Sequence, residues 1–224
     1  MATRPIFVPG INNDHLVEEI LINFKWHPGI TAKQKQLNIA AIHKAGELKG
    51  IKPILEVSSK SLEAIGKNLS AFNLTFEAGR IGILCVEAAF QGSKVFEHGG
   101  PYTDLYYKTG WEVKKDSRLK TSGTLKCFRY ENTEWSLNPT TAFYDWLYLN
   151  ALYQNKKYCE VLHSFNGFTD IEFNPKKSFN CQARSCALYV ALENKGMIES
   201  SLSDKKLFIN LLIEDSKQAT LKLF

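Results

Sequence analysis

No apolar run in this 224-residue chain approaches the ~18 residues that would make a transmembrane helix. The opening "MATRPIFVPGINNDH" lacks a charged start followed by an apolar core. No signal peptide is therefore expected, and the chain is predicted to be cytoplasmic with no membrane partner. The five cysteines, Cys85, Cys127, Cys159, Cys181 and Cys186, are scattered, odd in number and form no C-x-x-C pair, and the five histidines are isolated. That argues against a disulfide framework and a zinc site, and no metal is implied. Most of the cysteines read as small buried apolar residues in a reducing compartment. There is no G-x-S-x-G and no Cys–His spacing suited to a dyad, and "HGGPY" at 98–102 matches neither a P-loop nor a dinucleotide fingerprint. Internal repeats and long Pro/Gly/Ser linkers are also missing, so a single domain is the simplest organisation.

Apolar residues make up 44% of the chain, enough to bury a substantial core. The net charge is +5, and much of it comes from one stretch. "WEVKKDSRLKTSGTLKCFRY" holds Lys114, Lys115, Arg118, Lys120, Lys126 and Arg129 against Glu112 and Asp116. A local basic surface suits an anionic partner, although a solvated loop would read the same way. Patterning predicts an amphipathic helix over "TAKQKQLNIAAIHKAGELKG", with Thr31 as N-cap and Leu37, Ala41, Ala45 and Leu48 as its apolar stripe. "KPILEVSSKS" reads as a short strand and "SLEAIGKNL" as a short helix. "SAFNLTFEAGRIGILCV" reads as two strands around "EAGR", and "TLKCFRYENTEWSL" as a hairpin turning at "ENT". "TTAFYDWLYLNALYQN" and "NCQARSCALYVALENKG" read as buried helices, while "KKLFINLLIED" fits strand or helix.

Three groups of residues can carry chemistry. In "VEAAFQGSKVFEHGG", read as a helix, Glu87, Gln91 and Lys94 share a narrow sector. Val86, Ala89, Phe90 and Phe96 flank it on one side, and Ala88 and Val95 on the other. A carboxylate on so thin a polar strip can be partly desolvated and suited to general acid/base work; the other reading is that Glu87 favours the positive helix end and pairs outward with Gln91. Arg184 projects from an apolar sector of its helix, either to clamp a phosphate or carboxylate or to form a buried pair, with Asp145 a candidate. In "GFTDIEFNP", alternation along an extended stretch would point Asp170, Glu172 and Asn174 to one side, suited to ribose hydroxyls; an Asx turn before Pro175 is the other reading.

"LSAFNLTFEAGRIGILCVEAAFQGSK" resembles the signature of the NADAR family, also known through its YbiA-type members. There a "LSNF" stretch precedes a β-hairpin and a helix of the form V-E-x-x-F-Q-x-x-K. The matching residues are Leu69, Ser70, Phe72, Val86, Glu87, Phe90, Gln91 and Lys94. "VKKDSRL" resembles the family's Lys-rich segment, Trp135 a tryptophan that follows it, and "FTDIEFNP" the acidic segment near the end. The resemblance spans roughly residues 69–195. The usual D-x-x-W-G ending is absent, with "NPKKSFNCQARS" in its place, and the N-terminal region lies outside the common core. Both departures resemble the subgroup found beside DarT-type toxins, the ADP-ribosyltransferases that modify guanine in DNA.

The resemblance implies an α+β, mainly helical single domain with a small antiparallel sheet. Residues 1–68 would be an N-terminal extension packed on the core, 69–200 the NADAR-like catalytic core, and 201–224 a C-terminal segment of the same domain. It further implies an ADP-ribosyl hydrolase that cleaves the N-glycosidic bond to guanine and acts as an antitoxin, with no cofactor. The substrate partner would be ADP-ribosylated DNA, single-stranded or with the base extruded, the product ADP-ribose, and the functional partner a DarT-type toxin. Glu87 is the implied catalytic group. Ser70, Phe72, Asn73, Gln91, Lys94, Trp135, Asp170, Glu172, Asn180 and Arg184 are the substrate-binding candidates, with Trp135 a base-stacking group. Lys114, Lys115, Arg118 and Lys120 are the nucleic-acid contacts. The cleft is expected between the Glu87 helix and the "NCQARS" helix. An N-glycosidase for a small nucleotide-like metabolite and a non-catalytic module binding ADP-ribose or toxin are the alternatives.

Overall fold

The computed structural model describes residues 1–10 and 15–221, with side chains through residue 217. The expected C-terminal segment is thus described as far as residue 221, and residues 222–224 lie outside the described residues. The protein is α+β, as the sequence predicts. Along the chain come β1 (Ala2–Pro9), β2 (Val17–Phe24), α1 (Ala32–Glu47), β3 (Ile54–Glu56) and α2 (Ala64–Asn68). Next are β4 (Thr75–Glu77), β5 (Ile83–Cys85), α3 (Val86–Gly92), β6 (Lys94–Phe96), α4 (Gly110–Lys114), α5 (Arg118–Thr121), β7 (Leu125–Tyr130), β8 (Thr133–Trp135) and α6 (Ala142–Gln154). The chain closes with α7 (Lys156–Leu162), β9 (Gly167–Thr169), α8 (Gln182–Asn194), α9 (Ile198–Ser203) and α10 (Lys205–Leu221). "KKLFINLLIED" is therefore helical. Among the described residues no helix is long and apolar enough to cross a membrane.

Two compact units result, and they cross the segments expected from sequence. Residues Met1–Ser70 and Lys156–Phe224 form the first, and Ala71–Asn155 the second. The first unit is built on a four-stranded sheet in the order β2-β1-β9-β3. β1 and β2 are antiparallel from Ala2↔Phe24 to Pro9↔Val17, while β9 runs antiparallel to β1 and parallel to β3. Isoleucines fill the space beneath: Ile6, Ile22, Ile39, Ile42, Ile51, Ile54 and Ile171, with Phe24.

α1 meets that core through part of the expected stripe, with Ala41 and Ala45 packed against it. Thr31 does cap it, within a reciprocal box formed with Gln34. The buried positions, however, are Asn38, Ile39, Ile42 and Gly46, while Leu37 and Leu48 are exposed. Asn38 is buried because its amide finds the backbone of His27. Its Oδ1 accepts from His27 N at 2.7 Å, and its Nδ2 donates to His27 O at 2.8 Å. A fully satisfied amide is tolerated inside where an unpaired one is not.

A second buried polar group ties the strands. Glu56, at the end of β3, accepts from Ser58 Oγ at 2.6 Å and Ile171 N at 2.9 Å on Oε1. Its Oε2 takes the Thr169 hydroxyl at 2.7 Å, and Thr169 Oγ1 lies 2.9 Å from His43 Nε2 on α1. Burial, then the nearby Asp170 carboxyl, raises the Glu56 pKa above its ordinary 4.5, while the three donors oppose that rise. Asp170 is raised too, first by burial, and Glu172 adds to it. His43 goes the other way, pushed down to about 4 by burial.

These shifts set a pH dependence. A carboxyl raised in the folded state holds a proton that the unfolded chain has already released. Its stabilisation is therefore complete below the ordinary carboxylate range and is lost as pH climbs. His43 contributes the opposite, a loss as pH falls from its ordinary 6.5 toward 4. Above pH 6.5 only the carboxyl contribution remains of the two, so Tm is expected to decline from there into the mildly alkaline range. Glu56→Gln, which keeps the shape but removes the titrating carboxyl, should flatten that decline when Tm is followed by circular dichroism. An unchanged slope would show that Glu56 is ionised throughout.

Candidate active site

α3 begins where it does because the preceding loop meets its first backbone donors. Val86 N donates to Leu74 O at 3.0 Å, Glu87 N donates to Ala71 O at 2.9 Å, and Cys85 Sγ accepts from Ala88 N at 3.4 Å. These are the donors that a helix start leaves without an intrahelical partner. The loop that carries Phe72 and Asn73 thereby holds the helix that carries Glu87. Val86, Ala88 and Ala89 are fully buried and Phe90 nearly so, which means both apolar flanks are packed. The thin polar strip is what remains of a helix enclosed on two sides. Glu87 is only 8% exposed.

The helix ends earlier than its sequence period suggests. Ser93 terminates it, with Oγ donating to Ala89 O at 2.7 Å and sharing a hydrogen bond of 2.9 Å with Tyr106 OH. The Tyr106 ring occupies the space beside Gly92, where a Cβ would meet it at 2.6 Å. Lys94 then opens β6 opposite Phe128 rather than extending the helix. It nonetheless stays with the cluster. Its Nζ stands 5.0 Å from the centre of the Phe90 ring. Burial lowers its pKa, and the Glu87 charge pulls it back up. Gln91 Nε2 donates to Glu87 Oε1 at 3.0 Å.

A second layer surrounds Glu87. At the first residue of α4, Gly110 is so close to its neighbours that a Cβ would stand 2.7 Å from Phe72 Cδ1 and 3.3 Å from Glu87 Cβ. Trp111 stacks on Phe72 with centroids 4.6 Å apart and planes 24° off parallel. Lys114 Nζ lies 5.1 Å from the Phe72 ring centre. The unit thus presents a water-poor carboxylate clasped by an amide, a desolvated ammonium beside it, and an aromatic pair at its edge. Such a group can stabilise developing positive charge or direct a water, and the lysine favours an anionic neighbour.

The other sequence candidates are distributed differently. Trp135 is 2% exposed, packed on Phe143 and Trp146 in an aromatic core with Phe90 and Phe128. Burial leaves it no face for a base, and the exposed tryptophan of this unit is Trp111. Arg118 is held by Asp116 and by a two-pronged contact to Asp104, with Lys108 beside both acids, and this pairing keeps Asp116 well below the usual carboxylate range. Lys114, Lys115 and Lys120 are exposed. Ser70, Asp170, Glu172, Asn180 and Arg184 belong to the first unit, as does the "NCQARS" helix, now α8. Ser70 is 1% exposed, and its Oγ has no hydrogen-bond partner among the described residues. Asp170 and Asn174 do not alternate along a strand. Each caps its own turn, accepting from Glu172 N at 2.9 Å and Lys176 N at 3.1 Å. Glu172 pairs with Lys35 at 3.0 Å. Arg184 lies 4.0 Å from Asp215, which also accepts from Leu16 N at 2.6 Å.

Sequence reasoning missed Gly110 and Trp111, though "TGWE" carried a signal. Thr109 and Glu112 form a reciprocal capping box, which places the indole in the first turn of a short surface helix. Adding a methyl at Gly110 forces Phe72 or Glu87 to move. Gly110→Ala is expected to cost about 1–3 kcal/mol by overpacking. Urea titration measures this, and a midpoint equal to wild type would mean that the contact relaxes freely.

No curated protein matches the chain in sequence. The family model described as DarT1-associated NADAR antitoxin matches residues 2–222. The match takes in both units, the extra N-terminal hairpin and the C-terminal helices that the shorter motif leaves out. The loop-capped helix bearing Glu87, Gln91 and the neighbouring Lys94 is one local part of a whole-chain likeness, and the chain belongs to the DarT1-associated NADAR antitoxin family.

Proposed function

We propose that this antitoxin is an ADP-ribosyl hydrolase that removes ADP-ribose from guanine in DNA, with Glu87 as its catalytic carboxylate. The observation that carries the reading is Glu87 itself, 8% exposed on a helix packed along both flanks and clasped by Gln91 at 3.0 Å. Cleavage of the bond from ribose C1 to the base nitrogen passes through an oxocarbenium-like state, the charge problem that glycosidases meet with carboxylates. In the proposed reaction the C1–N bond breaks, and its electron pair leaves with the base. A water oxygen bonds to C1, and a proton from that water ends on the base nitrogen.

Each neighbour has a part in this scheme. Glu87 faces the developing positive charge and directs the water. Gln91 holds the carboxylate in one orientation, which spares that reorganisation during the reaction. Lys94, whose charged form is disfavoured by burial, gains a partner when a pyrophosphate oxygen arrives. Lys114, Lys115 and Lys120 supply sequence-independent phosphate contacts, and the base is reached in a single strand or by extrusion. The toxin is the functional counterpart through the lesion that the hydrolase reverses.

The test uses a single-stranded oligonucleotide carrying ADP-ribosyl guanine, with release of ADP-ribose followed by mass spectrometry. Wild type should release it, and Glu87→Gln should slow release by about 10²–10⁴-fold while still binding the oligonucleotide. Equal release by both would move the essential carboxylate away from Glu87. Binding without release by wild type would make the protein a binding module instead.

A further inference from the structure

We infer that Trp111, backed by Phe72, is a stacking platform for a base of the DNA strand next to the modified nucleotide. The inference rests on the proposed DNA substrate and names how the strand is held beside Glu87.

Four observations converge on it. Trp111 is 53% exposed and, unlike the still more exposed Tyr107, is stacked on a neighbouring ring, while the rings of Phe128, Phe143 and Trp135 pack on one another. Exposure of a single indole is ordinary on its own, and what distinguishes Trp111 is that its pose is set by its neighbours. Its pose is indeed fixed. One face lies on Phe72 at 4.6 Å, and the capping box of Thr109 and Glu112 sets the turn that carries it. With one face taken by Phe72, the exposed area is available to a second planar ring, and offset stacking is the arrangement such rings prefer.

The platform is also next to the chemistry. Gly110, the residue before Trp111, approaches both Phe72 and the Glu87 side chain so closely that a Cβ would lie within 3.3 Å of each. Trp111 and Glu87 thus share Phe72 and Gly110 as neighbours, which puts a ring stacked on the indole on the same part of the unit as the carboxylate.

Charge selects the occupant. Arg118 and Lys108 are matched by Asp104 and Asp116, whereas Lys114 and Lys115 on and beside α4 are exposed. Exposed lysines beside an exposed aromatic ring are the combination by which single strands are gripped, stacking for the base and ammonium for the backbone. Because two such lysines adjoin the platform, a base flanked by strand phosphates fits it better than the adenine of free ADP-ribose.

The experiment measures binding rather than turnover, so that it can fail separately from the hydrolase reading. A fluorescein-labelled unmodified single strand is titrated with wild type, Trp111→Ala and Trp111→Phe and read by anisotropy. The same titration is repeated with a strand of equal phosphate number whose bases are abasic spacers, and with ADP-ribose by calorimetry. Trp111→Ala should weaken the normal strand by about 5- to 100-fold, and Trp111→Phe should recover most of that loss. The abasic strand should bind wild type and Trp111→Ala alike. The slope of affinity against salt should be the same for wild type and Trp111→Ala, because no phosphate contact is removed. Equal binding of the normal strand by all three proteins, at matching Tm, overturns the platform even if wild type hydrolyses the modified base. A loss confined to ADP-ribose would make adenine the occupant and overturn the assignment to the strand. A loss of the normal strand that Trp111→Phe fails to recover would rule out stacking as the cause.

Discussion

Two backbone hydrogen bonds govern the site: Val86 N to Leu74 O, and Glu87 N to Ala71 O. They tie the first turn of α3 to the loop that precedes the β4–β5 hairpin, so helix and loop are positioned as one piece. The loop then supplies Phe72, which meets Gly110, which sets Trp111. Losing either bond would leave a buried donor unpaired, a cost of about 1–3 kcal/mol, so the arrangement resists drift. Glu87 is precise because its backbone is held, and Gln91 then holds its side chain.

The first unit shows the same logic applied to a sheet. β9 is a three-residue strand between β1 and β3, and the residues after it turn at once. What anchors so short a strand is a polar set of His43, Thr169, Glu56 and Ser58, joined by the backbone of Ile171. A shared hydroxyl lies between a neutral histidine and a carboxyl that favours its proton. The network is satisfied internally, and a satisfied network specifies register where three residues of strand pairing alone would specify it weakly. Asp170 follows directly, with its carboxyl taken by the turn donor Glu172 N and by the Gln182 side chain. The acidic look of "FTDIEFNP" thus has a structural use.

Much of this was legible in the sequence because it is local. Hairpins at "EAGR" and "ENT", the Thr31 cap, the enclosed α6 and α8 and the start of α3 all follow from short-range pattern. What was not legible depends on distant partners. Lys94 fits a helical period, but the helix stops because Tyr106 packs on Gly92 and Ser93 binds back to Ala89. α1 buries Asn38 and leaves Leu37 exposed because the Asn38 amide finds the backbone of His27. Trp135 and Trp111 are chemically identical in sequence. Only the surrounding rings decide that one is core and the other surface. Arg118 read as a free cation until Asp104, fourteen residues earlier, came beside it.

The strand order of the first unit has a consequence for synthesis. β1, β2 and β3 leave the ribosome early, yet β9, which lies between β1 and β3, emerges only after the whole of Ala71–Asn155. The second unit is contiguous and draws on its own residues, so it can close while the first waits with a sheet edge unfilled. Chains that postpone a central strand fold slowly and expose that edge to other chains and to proteases in the meantime. For an antitoxin this makes the interval between translation and protection depend on the arrival of a three-residue strand, and it makes a truncated chain that stops before Gly167 an unfinished sheet rather than a weaker antitoxin.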